Sequence, residues 1–207
     1  IFSMAKGGSY EREIALELSL WWSEGKREDI FYRTPGSGGR FTNRRKAGKT
    51  TANQVGDQLA SDPIGQPLLD DWSVECKTGY GSKKKIKDDQ GTVVKKELIR
   101  WDILDFIDSR QEKPVLQKMW EQCARDAAAE NKEPILIFRR NGRSSCIVLR
   151  LGYLSHLEGH FGNYGLDRLI VRSNIHSVII PLKEFFIWIP NIRSALRKKK
   201  SSINIRR

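Results

Sequence analysis

Asp57 and, eighteen residues further on, Glu75-Cys76-Lys77 are the residue types from which a phosphodiester-hydrolysing centre can be built. Side chains alternate along an extended strand, so Glu75 and Lys77 share one face while Val74 and Cys76 share the other. With Asp57 supplied by a neighbouring strand, two carboxylates can hold Mg2+, a hard cation that prefers oxygen ligands and usually keeps several waters. Such an ion makes water acidic enough to attack and offsets charge on the phosphate, and Lys77 would orient the nucleophile. Taken alone, an acid-x-Lys tripeptide is more often a cross-strand ion pair than a catalytic site. Asp62, in Ser61-Asp62-Pro63, competes with Asp57 for the ligand role, although Asp57 sits better within the apolar segment Val55 to Ala60.

The elements that must position these residues are legible from periodicity. Ser9 to Trp22 reads as a helix with Ser9 as N-cap and Glu11 in the first turn. Ile14, Ala15, Leu18 and Trp22 form its apolar face. Glu11 falls in the middle of that face, Glu13 opposite and Glu17 about 120° away, so Glu11 alone of the three is predicted to face the domain. The plainer reading is that Glu11 only caps the helix. Asp29 to Arg33, Val55 to Ser61 and Trp72 to Thr78 have strand character. The lysine-rich run Gly81 to Lys96 reads as an exposed loop. Val115 to Glu130 reads as a core helix, because Leu116, Met119, Trp120, Cys123 and Ala127 recur at helical spacing. Ile135 to Arg139 and Cys146 to Arg150 are predicted strands joined by a turn at Asn141-Gly142. This order predicts an α/β fold, a sheet with helices on its faces.

The 207 residues carry 37 basic and 25 acidic side chains, a net charge of +12. Arg40 to Thr50 holds five basic residues (Arg40, Arg44, Arg45, Lys46, Lys49) and no acid, and Arg193 to Arg207 holds seven and no acid. Setting these aside leaves 25 basic against 25 acidic residues, so the excess is confined to two polar segments. Localised positive charge of this kind releases counterions from nucleic-acid phosphates. A tail that only aids solubility is the alternative. No apolar run approaches the 18 residues of a membrane span, and no charged-then-apolar leader opens the sequence, so a cytoplasmic protein is expected. Cys76, Cys123 and Cys146 form no CxxC and are expected as reduced, packed thiols.

Lys6-Gly7, Tyr10-Glu11-Arg12-Glu13, Arg33, Ser37-Gly38, Gly56-Asp57 and Val74-Glu75-Cys76-Lys77 together resemble, in their order, the PD-(D/E)XK nuclease superfamily. They look like the archaeal-type Holliday-junction resolvase branch of that superfamily, including related phage nucleases, over roughly Lys6 to Arg150. The resemblance implies a nuclease-like core with a central mixed sheet of about five strands flanked by helices. It implies a catalytic set of Glu11, Asp57, Glu75 and Lys77. Asp57, Glu75 and the main-chain carbonyl of Cys76 would hold Mg2+, with Glu11 assisting and Mn2+ able to substitute. Arg12, Arg33 and Ser37 match positions that approach DNA. Two features depart from the family: Gly56 stands where a proline precedes the aspartate, and the connection from Arg33 to Asp57 is longer than in compact resolvases.

The expected organisation is a core over residues 1–150 with a basic insertion at 36–54, a C-terminal extension over 151–192 packed on it, and a basic tail at 193–207. The expected partner is DNA, branched or four-way, and two-fold symmetry of a junction favours a homodimer. Val178 to Pro181 and Phe185 to Ile189 could form that interface or complete the monomer's own sheet. A linear-duplex nuclease of restriction or phage-processing type, and a noncatalytic nucleic-acid-binding module, are the alternatives. Gly48-Lys49-Thr50 is not a P-loop, since Asn43 occupies its first glycine position. His156 and His160 lack the order of a zinc-protease motif.

Overall fold

The computed structural model describes residues 6–35, 56–78, 83–98, 115–163, 169–171, 176–193 and 196. The order of elements is α1 (Lys6–Trp22), β1 (Phe31–Arg33), β2 (Gln58–Ala60), a 3-10 turn (Pro63–Gly65), α2 (Gln66–Asp71), β3 (Trp72–Thr78), β4 (Lys83–Lys87), β5 (Val93–Leu98), α3 (Val115–Ala128), β6 (Glu133–Arg139), β7 (Cys146–Arg150), α4 (Leu151–Phe161), β8 (Leu169–Val171), β9 (Ser177–Pro181) and α5 (Leu182–Trp188). The architecture is α/β. A mixed five-stranded sheet runs β3-β6-β7-β9-β8, in which β3 and β6 are parallel and the other pairs antiparallel.

The hydrophobic side chains divide between the two faces of this sheet. Val74, Cys76, Ile135, Ile137, Ile147 and Leu149 pack against Tyr10, Ile14, Leu18 and Trp22 of α1, and the same core includes Leu154 and Leu157 of α4 and Phe185 of α5. Leu136, Phe138, Val148 and Ile179 meet Leu116, Met119, Trp120 and Cys123 of α3 on the other face. The central strands are apolar on both faces, as expected of a sheet covered twice. Cys76 and Cys123 are buried free thiols, and burial pushes both well up from the ordinary thiol range.

Several sequence expectations need correction. The first helix begins at Lys6, so Ser9 lies inside it and Glu11 lies beyond its first turn. Glu11 is nevertheless buried. It is not alone in facing the domain: Glu13 binds Arg139 of β6 in a two-pronged ion pair, with Nη2 to Oε2 at 2.7 Å. Burial raises the Glu17 carboxyl above its ordinary range, with Glu13 adding to the rise. Helix α1 has neighbours on several sides, which a helical wheel does not register. Trp21, for example, donates to the Ile189 carbonyl at 2.6 Å and stacks on Phe186.

Residues 81–96 are not simply a loop, because β4 and β5 form an antiparallel ribbon of their own. β1 and β2 likewise make a separate two-stranded ladder, so neither belongs to the five-stranded sheet. Residues 151–192, expected to pack on the core, supply β8 and β9 to the same sheet. Val178, Ile179 and Ile180 are buried there, and Phe185 and Ile189 are buried in the monomer's core, whereas Ile187 between them is 77% exposed, so the first segment weighed as a dimer interface completes the sheet and the second is internal only in part. The apolar run from Phe185 falls within a helix rather than a strand for residues 182–188. At the start of the basic tail, Arg193 donates to the Trp22 carbonyl at 2.6 Å and lies over its ring, and Leu196 is buried. Among the described residues no helix is long and apolar enough to cross a membrane.

Candidate active site

β3 is an edge strand of the main sheet, and its free edge is where the predicted residues meet. Asp57, at the entry to β2, donates its N–H to the Val74 carbonyl at 2.7 Å and accepts one from Thr34 at 2.9 Å through its own carbonyl. Its side chain then reaches along the edge, where Oδ2 accepts the Cys76 N–H at 2.8 Å. A strand residue's N–H and C=O leave on the same edge, so the Cys76 carbonyl also opens toward Asp57. The Cys76 side chain lies in the core on the α1 face and takes no part.

Gly56 makes this approach possible. Its φ is +94°, and a Cβ there would stand 2.6 Å from the Val74 oxygen and 3.0 Å from its nitrogen. Proline holds φ near −65° and cannot adopt this conformation, so glycine rather than proline suits this position.

Glu75 and Lys77 emerge on the α3 face, in register with Leu136 and Phe138. Lys77 Nζ is ion-paired to Glu75 Oε1. From the opposite face α1 brings Glu11, whose Oε2 is bound by Arg33 Nε. Gly8, one turn earlier on α1, leaves room for that guanidinium, since a Cβ would come within 3.1 Å of Arg33 Cζ. Arg12 is half-buried on the same helix.

The electrostatics show that these groups act on one another. Asp57 is 5% exposed, and its carboxyl is pushed up to about 7. Loss of solvent is the largest cause, and the negative charge of Glu75 adds to it. The Cys76 N–H bond opposes the rise, Glu11 contributes to it, and Lys77 works against it. The Glu11, Asp57 and Glu75 carboxyls thus lie in one electrostatic neighbourhood with Arg33 and Lys77, and burial together with repulsion among the carboxyls disfavours ionisation of Asp57.

Asp62 is elsewhere in this charge map. Its Oδ1 caps the 3-10 turn by accepting the Ile64 N–H at 2.9 Å, and its Oδ2 accepts from Arg27 Nη1 at 2.7 Å. Those two bonds hold its carboxyl below the ordinary range, the Ile64 bond most strongly. Asp57 is therefore the aspartate gathered with Glu75 and Glu11.

Two residues that the sequence did not single out support the site. Gln58 is 4% exposed, and its Nε2 donates to the Glu11 carbonyl at 2.8 Å and reaches Cys76 Sγ at 3.6 Å, tying α1, β2 and β3 together. Thr34 fixes the Asp57 backbone from β1's end. The signal for Gln58 was a lone amide inside an apolar run. Gln58 Oε1 and Thr34 Oγ1 are both buried without a hydrogen-bond partner.

Hard oxygens, mutually repelling carboxylates and two orphaned buried oxygens fit a divalent cation held by few protein ligands and water. Among the described residues no group of three His, Cys, Asp or Glu side chains is close enough to enclose a metal by itself. His156 and His160, with rings 4.6 Å apart on α4, acquire no third ligand either. Ser37, Arg40, Arg44, Arg45, Lys46 and Lys49 lie outside the described residues, as does the tail beyond Leu196. In comparisons with known proteins, no family model matches the chain, and neither a curated protein nor a solved structure resembles it significantly.

Proposed function

We propose that this chain is a Mg2+-dependent DNA endonuclease of PD-(D/E)XK type, acting on branched DNA in the manner of a Holliday-junction resolvase. The observation that carries the reading is Asp57: a buried aspartate on the edge of the strand that presents Lys77, its carboxyl raised by loss of solvent first and by Glu75 and Glu11 after it. Burying a carboxylate whose hydrogen-bond partner is one N–H is costly, and a bound cation would offset that cost.

Asp57, Glu75 and the Cys76 carbonyl are the residues that would hold Mg2+, with Glu11 assisting from α1. The bound ion supplies Lewis-acid stabilisation of the phosphate and a more acidic water. Lys77, ion-paired to Glu75 on the same face of β3, would donate a hydrogen bond that orients the attacking water. Arg33 is held by Glu11 at the rim, where its guanidinium can bind a phosphate oxygen. Gln58 locks Glu11's backbone and so keeps α1 in place against β3.

Junction preference follows from symmetry: paired cuts in opposing strands are supplied most simply by a two-fold dimer with one site per subunit. The decisive experiment incubates a labelled panel of immobile four-way junction, matched linear duplex and single strand with the protein in Mg2+, Mn2+ or EDTA, with solution mass measured in parallel. Symmetric nicking of the junction by a dimer, abolished by EDTA, is expected. Equal cutting of linear duplex, or a monomer on DNA, would move the reading to a linear-duplex nuclease, and cutting in EDTA would remove the metal mechanism.

The Glu75–Lys77 and Glu11–Arg33 ion pairs favour a second reading, a noncatalytic nucleic-acid-binding module in which they only complete the fold. Binding without incision of any substrate in Mg2+ or Mn2+ would select it.

A further inference from the structure

A cleft of about 320 Å3, lined by none of Glu11, Asp57, Glu75 and Lys77, lies where α1, the β6–β7 turn and the start of α5 meet. Its volume is at the lower end of small-molecule sites. Arg139, the last residue of β6, is part of the wall. Both oxygens of Glu13 hold its guanidinium, with Nη2 to Oε2 at 2.7 Å, and its Cζ lies 4.5 Å from the centre of the Tyr10 ring. Tyr10 donates its hydroxyl to Ser145 Oγ at 3.0 Å, and the Ser145 carbonyl accepts the Leu182 N–H at 2.9 Å. Helix, turn and α5 are therefore tied together around the opening, and Glu13 and Arg139 satisfy each other.

The remaining charges are not so matched. Glu17, one turn beyond Glu13 on α1, is half-buried, and among the described residues no hydrogen bond or ion pair reaches its carboxylate. Loss of solvent raises this carboxyl first, and the Glu13 charge adds to the rise. Lys183, on the α5 wall, is near enough to lower it and yet forms no ion pair with it. Lys183 and Arg143 are exposed cations on the lining, and neither has an ion-pair partner among the described residues. Glu184 beside Lys183 brings the lining to three acids and three bases.

A lining of balanced charge favours neither a simple anion nor a simple cation. A molecule that bears both charges, in the reverse order, meets the unpartnered carboxylate and the unpartnered cations at once. We propose that this cleft binds a free α-amino acid, with its ammonium on the Glu17 carboxylate and its own carboxylate on Lys183 and Arg143. The two charges of an α-amino acid are separated by a single carbon, which suits opposite charges that act on one another without touching. Ser145 adds a donor: its Oγ accepts from Tyr10, so its own proton is left for the ligand carboxylate. The remaining volume has room for a side chain beside Pro181. Both ionic contacts form where solvent is already reduced, which strengthens them.

The test uses the full chain with L-serine, L-leucine and L-lysine, each up to about 50 mM at constant ionic strength, with melting temperature and isothermal titration read together. At least one of the three should bind saturably and raise the melting temperature. Ethylammonium and acetate, each carrying half of the charge pair, should do neither. Glu17→Gln and Lys183→Gln, each checked by circular dichroism, should weaken binding roughly tenfold or more, because each removes a charged hydrogen-bond partner. Lys183→Arg should retain it. No saturable response to any of the three amino acids would overturn the proposal. So would a rise of equal size in both glutamine variants, which is the general effect of an excluded cosolute. Binding of ethylammonium or acetate as tight as that of the amino acids would also overturn it, by showing a site for one charge only.

Discussion

Two aspartates, five residues apart at opposite ends of the segment containing β2, live under opposite electrostatic regimes. Asp62 meets an N–H and a guanidinium at the surface and is held ionised more easily than a free aspartate. Asp57 is buried with one N–H, faces Glu75 and Glu11, and resists ionisation. The first arrangement satisfies a charge and closes a turn, and it asks nothing of a ligand. The second disfavours a negative charge where solvent is scarce, an environment in which a cation or a proton would be held. Glu13, two residues from Glu11 on α1, follows the Asp62 pattern, since Arg139 grips both its oxygens.

The contrast is broken most severely if catalysis does not distinguish the two. Asp57→Ala and Glu75→Ala should reduce incision on the order of 10³-fold or more, the equivalent of several kcal/mol of transition-state stabilisation. Lys77→Ala should lose activity as well. On the proposed reading DNA binding in EDTA should persist in all three, because phosphate contacts outside this site would carry it. Gel-based single-turnover cutting and anisotropy read the two quantities separately. Wild-type cutting by Asp57→Ala would transfer the ligand role to Asp62.

Next in size is the backbone that delivers Asp57. Gly56→Ala places a Cβ against the Val74 oxygen at a left-handed φ. It should destabilise the protein by about 1–3 kcal/mol in urea unfolding. Incision should fall further than stability alone explains, because the Asp57 carboxylate moves off the β3 edge. Full stability in this variant would show that the edge does not need the close approach.

The buried charge itself can be weighed without any metal. A carboxyl raised in the folded state binds its proton more tightly there than in the unfolded chain. Its contribution to stability is therefore complete at low pH and is lost as pH rises from the ordinary 3.8 to about 7. Asp57→Asn in EDTA should accordingly be more stable than wild type at pH 8, on the order of 1–3 kcal/mol. The gain should vanish near pH 4. Added Mg2+ should reverse the ranking by stabilising only the wild type. A destabilised Asp57→Asn at pH 8 would mean that the charge is compensated.

The smallest effect belongs to Asp62→Ala. Incision should stay within about threefold of wild type, while the melting temperature drops modestly through loss of the cap and the Arg27 bond. Here the sign is reversed. A depressed carboxyl stabilises above its ordinary pKa and loses that contribution as pH falls through the lowered value, so the variant and wild type should converge in acid.

Local pattern was sufficient for much of this molecule. Alternation placed Glu75 and Lys77 on one face of β3, the 3.6-residue period placed Leu116, Met119, Trp120 and Cys123 of α3 in the core, and Asn141-Gly142 marked the β6–β7 turn, since each depends only on neighbours in the chain. Glu11 emerged from the helical wheel as a buried carboxylate for the same reason. What the wheel missed is that α1 is enclosed on several sides, so Glu13 and Glu17 also meet the domain. The apolar runs after Leu151 were visible, but a short run has no period by which to tell the strand of Val178–Pro181 from the helix that includes Phe185. Their burial inside the monomer depended on pairing with β7. Nor could local pattern choose Asp57 over Asp62. Both stand near strand-like residues, and only the tertiary fold brought Arg27 to one and the edge of β3, with Glu75 and Glu11, to the other. Charge compensation is a property of neighbours in space, and those neighbours lie up to 46 residues away along the chain.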